Sequence, residues 1–260
     1  MHAERRIGAS DHRFAAKTAA MTDSQPSPRP VAIVTGAGSG IGAATARLLA
    51  ERGYAVVLVG RRHDMLESVR ASMREPTLHL ALSADVADSE RSAEVIDRTV
   101  EAYGRIDALV LAAGTAPKVP IDQTTEAVLE EAFFVNAFGK AFPIVRAWPV
   151  FKRQRSGRVV IVSTLGTIDP FPGFFAYAAS KAAADSFARS IKAEGKAIGV
   201  KAFTVNPGAV ETDMLRRNFP EKMIPREKAL APEAVAEIIV ACATGARDED
   251  NGRVIPVPSP

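Results

Sequence analysis

Short runs of β-branched and aliphatic residues alternate along this chain with longer stretches of helical composition, and that alternation limits the folds open to it. The apolar runs Val31–Thr35, Ala55–Val59, Leu78–Leu82, Ala108–Leu111, Val159–Val162, Lys201–Val205 and Val254–Val257 are short and bounded by Gly, Asp or Pro. They read as buried strands. Between them, Ile41–Arg52, Asp64–Arg74, Ser89–Tyr103, Thr125–Phe151 and Ala178–Ile198 have the composition of helices. Strand and helix in this order predict an α/β fold, a doubly wound parallel sheet with helices on both faces. Ligands of such sheets bind beyond the carboxyl ends of the strands, where strand order reverses. Residues at strand ends are therefore the ones to search for chemistry.

Composition removes several other classes. With 47% hydrophobic and 24% charged residues among 260, the chain can bury a core and is not disordered throughout. It has no run of 18 apolar residues, so no ordinary membrane-spanning helix is expected. One cysteine, Cys242, excludes an intrachain disulfide framework, and four histidines leave little material for a metal centre. Residues 1–30 carry five basic and three acidic side chains and end in Ser24-Gln25-Pro26-Ser27-Pro28-Arg29-Pro30. They are expected to form a disordered extension, with Met21 a candidate alternative start. The remaining 28 basic and 27 acidic residues nearly balance, which argues against a nucleic-acid partner.

The first strand runs into Thr35-Gly36-Ala37-Gly38-Ser39-Gly40-Ile41-Gly42. Glycines permit a close backbone approach that a β-carbon blocks, and the N–H groups of a following helix point at an anion such as a pyrophosphate. A glycine-rich loop without a ligand is the plainer alternative. Gly36, Gly40 and Gly42 give T-G-x-x-x-G-I-G, not the generic G-x-G-x-x-G. That spacing, with its leading Thr, resembles the short-chain dehydrogenase/reductase family. After the second strand, Gly60-Arg61-Arg62 stands where an NAD site would usually place a carboxylate. A guanidinium fork matches a phosphate in shape and charge, so Arg61, with Arg62 assisting, suits the 2′-phosphate of NADP(H). NAD(H) is the less favoured cofactor, and two solvated arginines are the bland alternative.

By the same resemblance, Asp85 hydrogen-bonds the adenine amino group with the Val86 backbone assisting, although helix capping explains Asp85 equally well. The fourth strand closes with Leu111-Ala112-Ala113-Gly114, where the family commonly has N-N-A-G. Small residues at Ala112 to Gly114 let a cofactor ribose approach. The asparagine pair is absent, so its hydrogen bonds must be made otherwise.

Tyr177-Ala178-Ala179-Ser180-Lys181 is the sharpest signal. Residues four apart on a helix share a face, so phenol and ammonium can point at one site. A phenol titrates near ~10 in water, and a neighbouring cation lowers that value toward a useful acid–base range. Y-x-x-x-K alone is common; after this glycine turn it resembles the same family. The family places a hydroxyl thirteen positions before the Tyr, which is Thr164 here, with Ser163 the fallback. That hydroxyl would donate to a substrate oxygen. Asn136 resembles the family's mid-helix Asn, which holds a water near the Lys; a buried amide there needs a fixed partner. Asn136, Thr164, Tyr177 and Lys181 would then form a proton relay. After the sixth strand, Pro207-Gly208 turns the chain back over the nicotinamide, the Val210 backbone holds its carboxamide, and Thr212 reaches carboxamide or phosphate, all by resemblance.

The resemblance extends to about Val257. It implies a seven-stranded Rossmann-type sheet and a single NADP(H)-binding catalytic domain over residues 31–260. It also implies hydride transfer to or from a carbonyl or secondary alcohol, with Tyr177 as general acid/base and Lys181 tuning it and binding ribose. A cytoplasmic homodimer or homotetramer without membrane or metal is expected. The segment from Met214 to Leu230 should fold over the site. Its Met214, Leu215, Phe219, Met223 and Ile224, with Phe174 and Phe175, suggest an apolar wall for a small-molecule substrate. Arg216, Arg217 and Lys222 are candidates to meet an anionic group. A non-catalytic NADP-sensing regulator and an unrelated Rossmann enzyme such as a methyltransferase are the competing functions, and neither needs the Tyr–Lys pair.

Overall fold

The computed structural model describes residues 29–260, so the expected extension lies, up to residue 28, outside the described residues. Seven strands run parallel in one sheet: β1 (Val31–Thr35), β2 (Ala55–Gly60), β3 (Leu80–Ser83), β4 (Ala108–Leu111), β5 (Gly157–Val162), β6 (Val200–Pro207) and β7 (Val254–Val257). Their spatial order is β3-β2-β1-β4-β5-β6-β7. This is the doubly wound Rossmann-type α/β fold expected from the sequence. The helices are α1 (Gly40–Glu51), α2 (His63–Ala71), α3 (Ser89–Tyr103), α4 (Glu126–Phe133), α5 (Gly139–Gln154), α6 (Phe175–Gly195), α7 (Asp213–Asn218) and α8 (Pro232–Thr244). None of the described helices is long and apolar enough to cross a membrane.

All five residues of β1 are buried, because the strand is central and covered on both faces. Ala32 and Val34 point into a core with Leu49 of α1 and Ile239 of α8. Ile33 points into the opposite core with Ile96 of α3, Phe151 of α5 and Ala184 of α6. Each large aliphatic or aromatic side chain buried this way contributes about 1.5–3 kcal/mol. β1 pairs with β2 on one side and β4 on the other, so strand order reverses there and a crevice opens beyond Thr35 and Leu111.

Beyond shifts of a few residues at several element ends, two differences from the expectation change the local structure. The third strand begins at Leu80 rather than Leu78, because Pro76 starts a tight helical turn over Pro76–Leu78. The segment 125–151 is not one regular helix. Phe134–Phe138 winds as a π turn between α4 and α5, and α5 accommodates Pro143 and Pro149. A π turn carries an extra residue and rotates the helix beyond it, and such turns are frequent at functional sites. Here Asn136, Ala137, Gly139 and Lys140 are turned inward, while Phe134 and Phe138 remain exposed.

The residue displaced from the third strand, His79, is buried between two backbone groups. Its Nδ1 accepts from the Val56 N–H at 3.1 Å and its Nε2 lies 2.8 Å from the Arg74 carbonyl. Nδ1 must be unprotonated to accept, so the ring is neutral with its proton on Nε2. Burial holds its pKa below the ordinary histidine value, with the Arg74 carbonyl acting the other way. The unfolded chain therefore binds the extra proton first, and stability should be complete above about pH 6.5 and fall as pH drops below it. Urea midpoints at pH 7.5 and 5.5 should differ more for the wild type than for His79→Gln; equal differences would contradict this assignment.

Candidate active site

A cleft of about 1470 Å³ runs along the carboxyl ends of the strands. Every catalytic or cofactor-binding candidate named from the sequence lines it except Asn136. Its floor is the glycine turn. Gly36 adopts φ +70°, and a Cβ there would lie 2.8 Å from the Ala113 nitrogen, while a side chain at Gly42 would overlap the Gly36 carbonyl. Ser39 precedes α1 without using its hydroxyl as a cap, and is exposed with Gly40, Ile41 and Gly42 beside it on the cleft wall. The orphan N–H groups at the start of this twelve-residue helix and the uncapped hydroxyl form a cradle for an anion.

At the far end of the cleft, Arg61 and Arg62 follow β2, both exposed. Neither guanidinium makes a hydrogen bond or ion pair among the described residues. Asp85 accepts from the Ala87 N–H at 3.0 Å, whereas the cap of α3 is Asp88, which accepts from Glu90 and Arg91. Capping therefore belongs to Asp88. Asp85 and Val86 line the cleft, as do Ala112 and Gly114.

Tyr177 and Lys181 lie on the first two turns of α6, with the Lys181 Nζ 5.8 Å from the Tyr177 ring centre. Burial pushes the Tyr177 hydroxyl above the usual phenol value, and the hydroxyl of Thr164 acts to lower it. Lys181 Nζ donates to the Val162 carbonyl at 3.1 Å. Burial brings its pKa down to about 8, against the opposing pull of the Asp185 carboxylate one turn further along. The two hydroxyls after β5 face different ways: Ser163 Oγ donates to the Lys181 carbonyl at 3.4 Å, while Thr164 turns toward the phenol.

Asn136 is fully buried and braces the site rather than lining it. Its Oδ1 accepts from the Thr115 N–H at 3.0 Å, and its Nδ2 donates to the Thr115 carbonyl and to Ser180 Oγ. The fixed partner expected of this amide is thus the Thr115 backbone. Sequence reasoning missed the residues behind the hydroxyl loop. Asn206 Nδ2 donates to the Thr164 carbonyl at 3.0 Å and to Asp185 Oδ2 at 3.2 Å, tying the end of β5 to α6. An amide set directly before Pro207-Gly208 was the available signal. Ser259 is a second omission: its hydroxyl accepts from the Ala209 N–H at 2.7 Å and holds the Pro207–Val210 turn. Thr212 caps α7 and lies beside Gly40.

The segment after this turn covers the cleft as expected, with corrections. Met214, Leu215, Phe219 and Ile224 line it, but Met223 and Phe175 are exposed and do not. Phe219 packs on Phe174 at 5.7 Å and on Phe171 at 5.5 Å, and Phe174 packs on Tyr177 at 5.1 Å. Arg216 is unavailable to an anionic ligand, since it pairs with Glu211 and donates to the Ile224 carbonyl. Arg217 lines the cleft and Lys222 does not.

The model of the family described as short chain dehydrogenase matches residues 30–223, most of the chain. The chain belongs to this family. An uncharacterized oxidoreductase of Staphylococcus haemolyticus is 30% identical over 82% of this chain and 90% of its own. Among solved structures, levodione reductase aligns with a TM-score of 0.82 at 25% identity, covering 88% of this chain and 96% of that one. The 3-ketoacyl-(acyl-carrier-protein) reductase from Brucella melitensis, complexed with NADH, gives the same score, identity and coverage. As a short-chain dehydrogenase the protein is an oxidoreductase, a member of a family that binds nicotinamide cofactors.

Proposed function

We propose that residues 31–260 act as one catalytic domain, an NADP(H)-dependent reductase or dehydrogenase of carbonyl and secondary alcohol carbons working in the cytoplasm. The observation that carries this reading is the convergence of Thr164, Tyr177 and Lys181 on one stretch of cleft wall, continuous with the glycine cradle. The cradle fits a dinucleotide because Gly36, Gly42 and Gly114 leave space that side chains would fill. Gly36, Ser39, Gly40, Ile41 and Gly42 would hold the pyrophosphate. Arg61 and Arg62 would meet a 2′-phosphate, and their unengaged guanidinium groups support NADP(H) over NAD(H). Asp85 and Val86 would meet adenine; Ala112, Gly114, Tyr177 and Lys181 the ribose; Pro207, Gly208, Val210 and Thr212 the nicotinamide end.

A reduced nicotinamide, when bound, supplies a hydride. The chain's own work is to place the substrate and move a proton. Thr164 donates a hydrogen bond to the substrate oxygen, which the turned-away hydroxyl of Ser163 is not placed to do. Tyr177 gives that oxygen its proton in reduction and takes it back in oxidation. The resulting phenolate is stabilised by the Lys181 ammonium. Phe171, Phe174 and Phe219 favour a substrate with an apolar part. The stripe Phe134–Phe138–Phe142 from the π turn into α5, with ring centres 5.2 and 5.9 Å apart, together with the 72%-exposed Val145, supports assembly of copies through that face.

NADPH oxidation against a panel of ketones, aldehydes and 3-oxoacyl thioesters tests the reaction. Tyr177→Phe should still bind NADPH but lose about 10²–10⁴ in kcat; full activity in that variant removes the proposed proton donor. Arg61→Ala should raise the KM for NADPH at least about tenfold and leave that for NADH nearly unchanged, whereas equal effects would remove the phosphate clamp. Sedimentation equilibrium should return a multiple of the 27.6 kDa chain mass, and a monomer at micromolar concentration would rule out the assembly.

A further inference from the structure

Beside the site stands a buried lysine to which the reaction above gives no part. Lys140 lies in the first turn of α5, is 1% exposed, and donates from Nζ to the Ala113 carbonyl at 2.8 Å. Lysines are almost never fully buried unless paired. No carboxylate pairs with this one among the described residues. Burial, and then repulsion from Lys181, hold its pKa well below the ordinary lysine range. The group facing it from α6 is Lys181, and the Asp185 carboxylate on that helix acts on Lys181. An apolar side chain would fill the same space without the cost of desolvating an amine, so the amine's one hydrogen bond is the informative feature.

That bond falls beside a close backbone junction of the cleft. The Ala113 N–H donates to Thr35 Oγ1 at 3.2 Å, and the peptide lies directly against Gly36. At the next residue, Gly114, a Cβ would lie 3.0 Å from Asn136 Oδ1 and 3.1 Å from Lys181 Nζ. Thr115 is held at both its N–H and its carbonyl by Asn136. Asn136 and Lys140 stand four residues apart where the π turn passes into α5. One short stretch of chain therefore holds both ends of the segment 113–115.

We propose that Lys140 is a positioning residue: its amine fixes the Ala113 carbonyl, and so sets the Ala113–Gly114 platform against the glycine turn on one side and Lys181 on the other. It supplies an anchor at a strand end where Leu111 and Ala112 offer no side-chain hydrogen bond. The proposal rests on the cofactor reading above, and its test separates the two.

Lys140→Met keeps the length and removes the donor, while Lys140→Gln keeps an N–H donor. NADPH affinity by calorimetry, steady-state kinetics and thermal midpoints would be measured on the full chain. Lys140→Met should weaken NADPH binding and lower kcat/KM by about tenfold each, the equivalent of one hydrogen bond. Its substrate KM and thermal midpoint should stay near the wild type, and Lys140→Gln should recover most of the affinity. Wild-type affinity and turnover in Lys140→Met would overturn the positioning role alone. So would equal impairment of both variants with lowered midpoints, which would make Lys140 a core filler. A wild-type protein that binds neither NADPH nor NADH would overturn the cofactor reading and this proposal with it.

Discussion

Backbone packs directly on backbone where β1 and β4 end, at a separation that excludes side chains. Gly36 rests on the Ala113 peptide, Gly42 on the Gly36 carbonyl, and Gly114 on the ends of Asn136 and Lys181. This contact joins the anion cradle at the start of α1 to the phenol and ammonium on α6. The two halves of the cleft are thus in direct contact, through backbone at Gly36 and Gly42 and through the ends of two side chains at Gly114. Around the junction, backbone atoms of Ala113 and Thr115 are hydrogen-bonded to the side chains of Thr35, Asn136 and Lys140. They fix the chain's path while leaving its surface bare toward the cleft.

Electrostatics follow from that packing. Lys181 and Lys140 are brought together out of water, and desolvation lowers the pKa of both. Asp185, one turn beyond Lys181, offsets the loss for Lys181. The same carboxylate accepts from Asn206, which also holds the Thr164 carbonyl. A single buried carboxylate thus links the charge of the ammonium to the placement of the hydroxyl that faces Tyr177.

The sheet was legible because strands buried on both faces appear as uninterrupted apolar runs. The exception, β3, shows what the pattern omits: Leu78 continues the run, but Pro76 draws it into a turn and His79 finds backbone partners instead. Glycine spacing and the Tyr–Lys interval identified the cleft, since both depend on local geometry. Composition could not reveal the π turn, because its five residues are too few for a shift in the phase of the apolar pattern to be read. That turn decides that Lys140 faces inward. Lys140, Asp185 and Ser259 escaped for a related reason: each acts on backbone or on another side chain far along the sequence. Among the aromatic residues expected to wall the site, Phe174 does and its neighbour Phe175 does not, because consecutive positions entering α6 point in different directions.

Proton transfer of the proposed kind needs the Tyr177 phenol beside a bound pyridine ring. Tyrosinate absorbance, followed through an alkaline titration of the wild type and of Tyr177→Phe, tests this most directly. The chain has three tyrosines, and burial raises the pKa of the other two, Tyr54 and Tyr103, as well. Saturation with NADP⁺ should move one titration to lower pH in the wild type, through the positive charge of the oxidised ring, and move none in Tyr177→Phe. Identical titrations of the wild type with and without NADP⁺ would contradict that placement of the phenol.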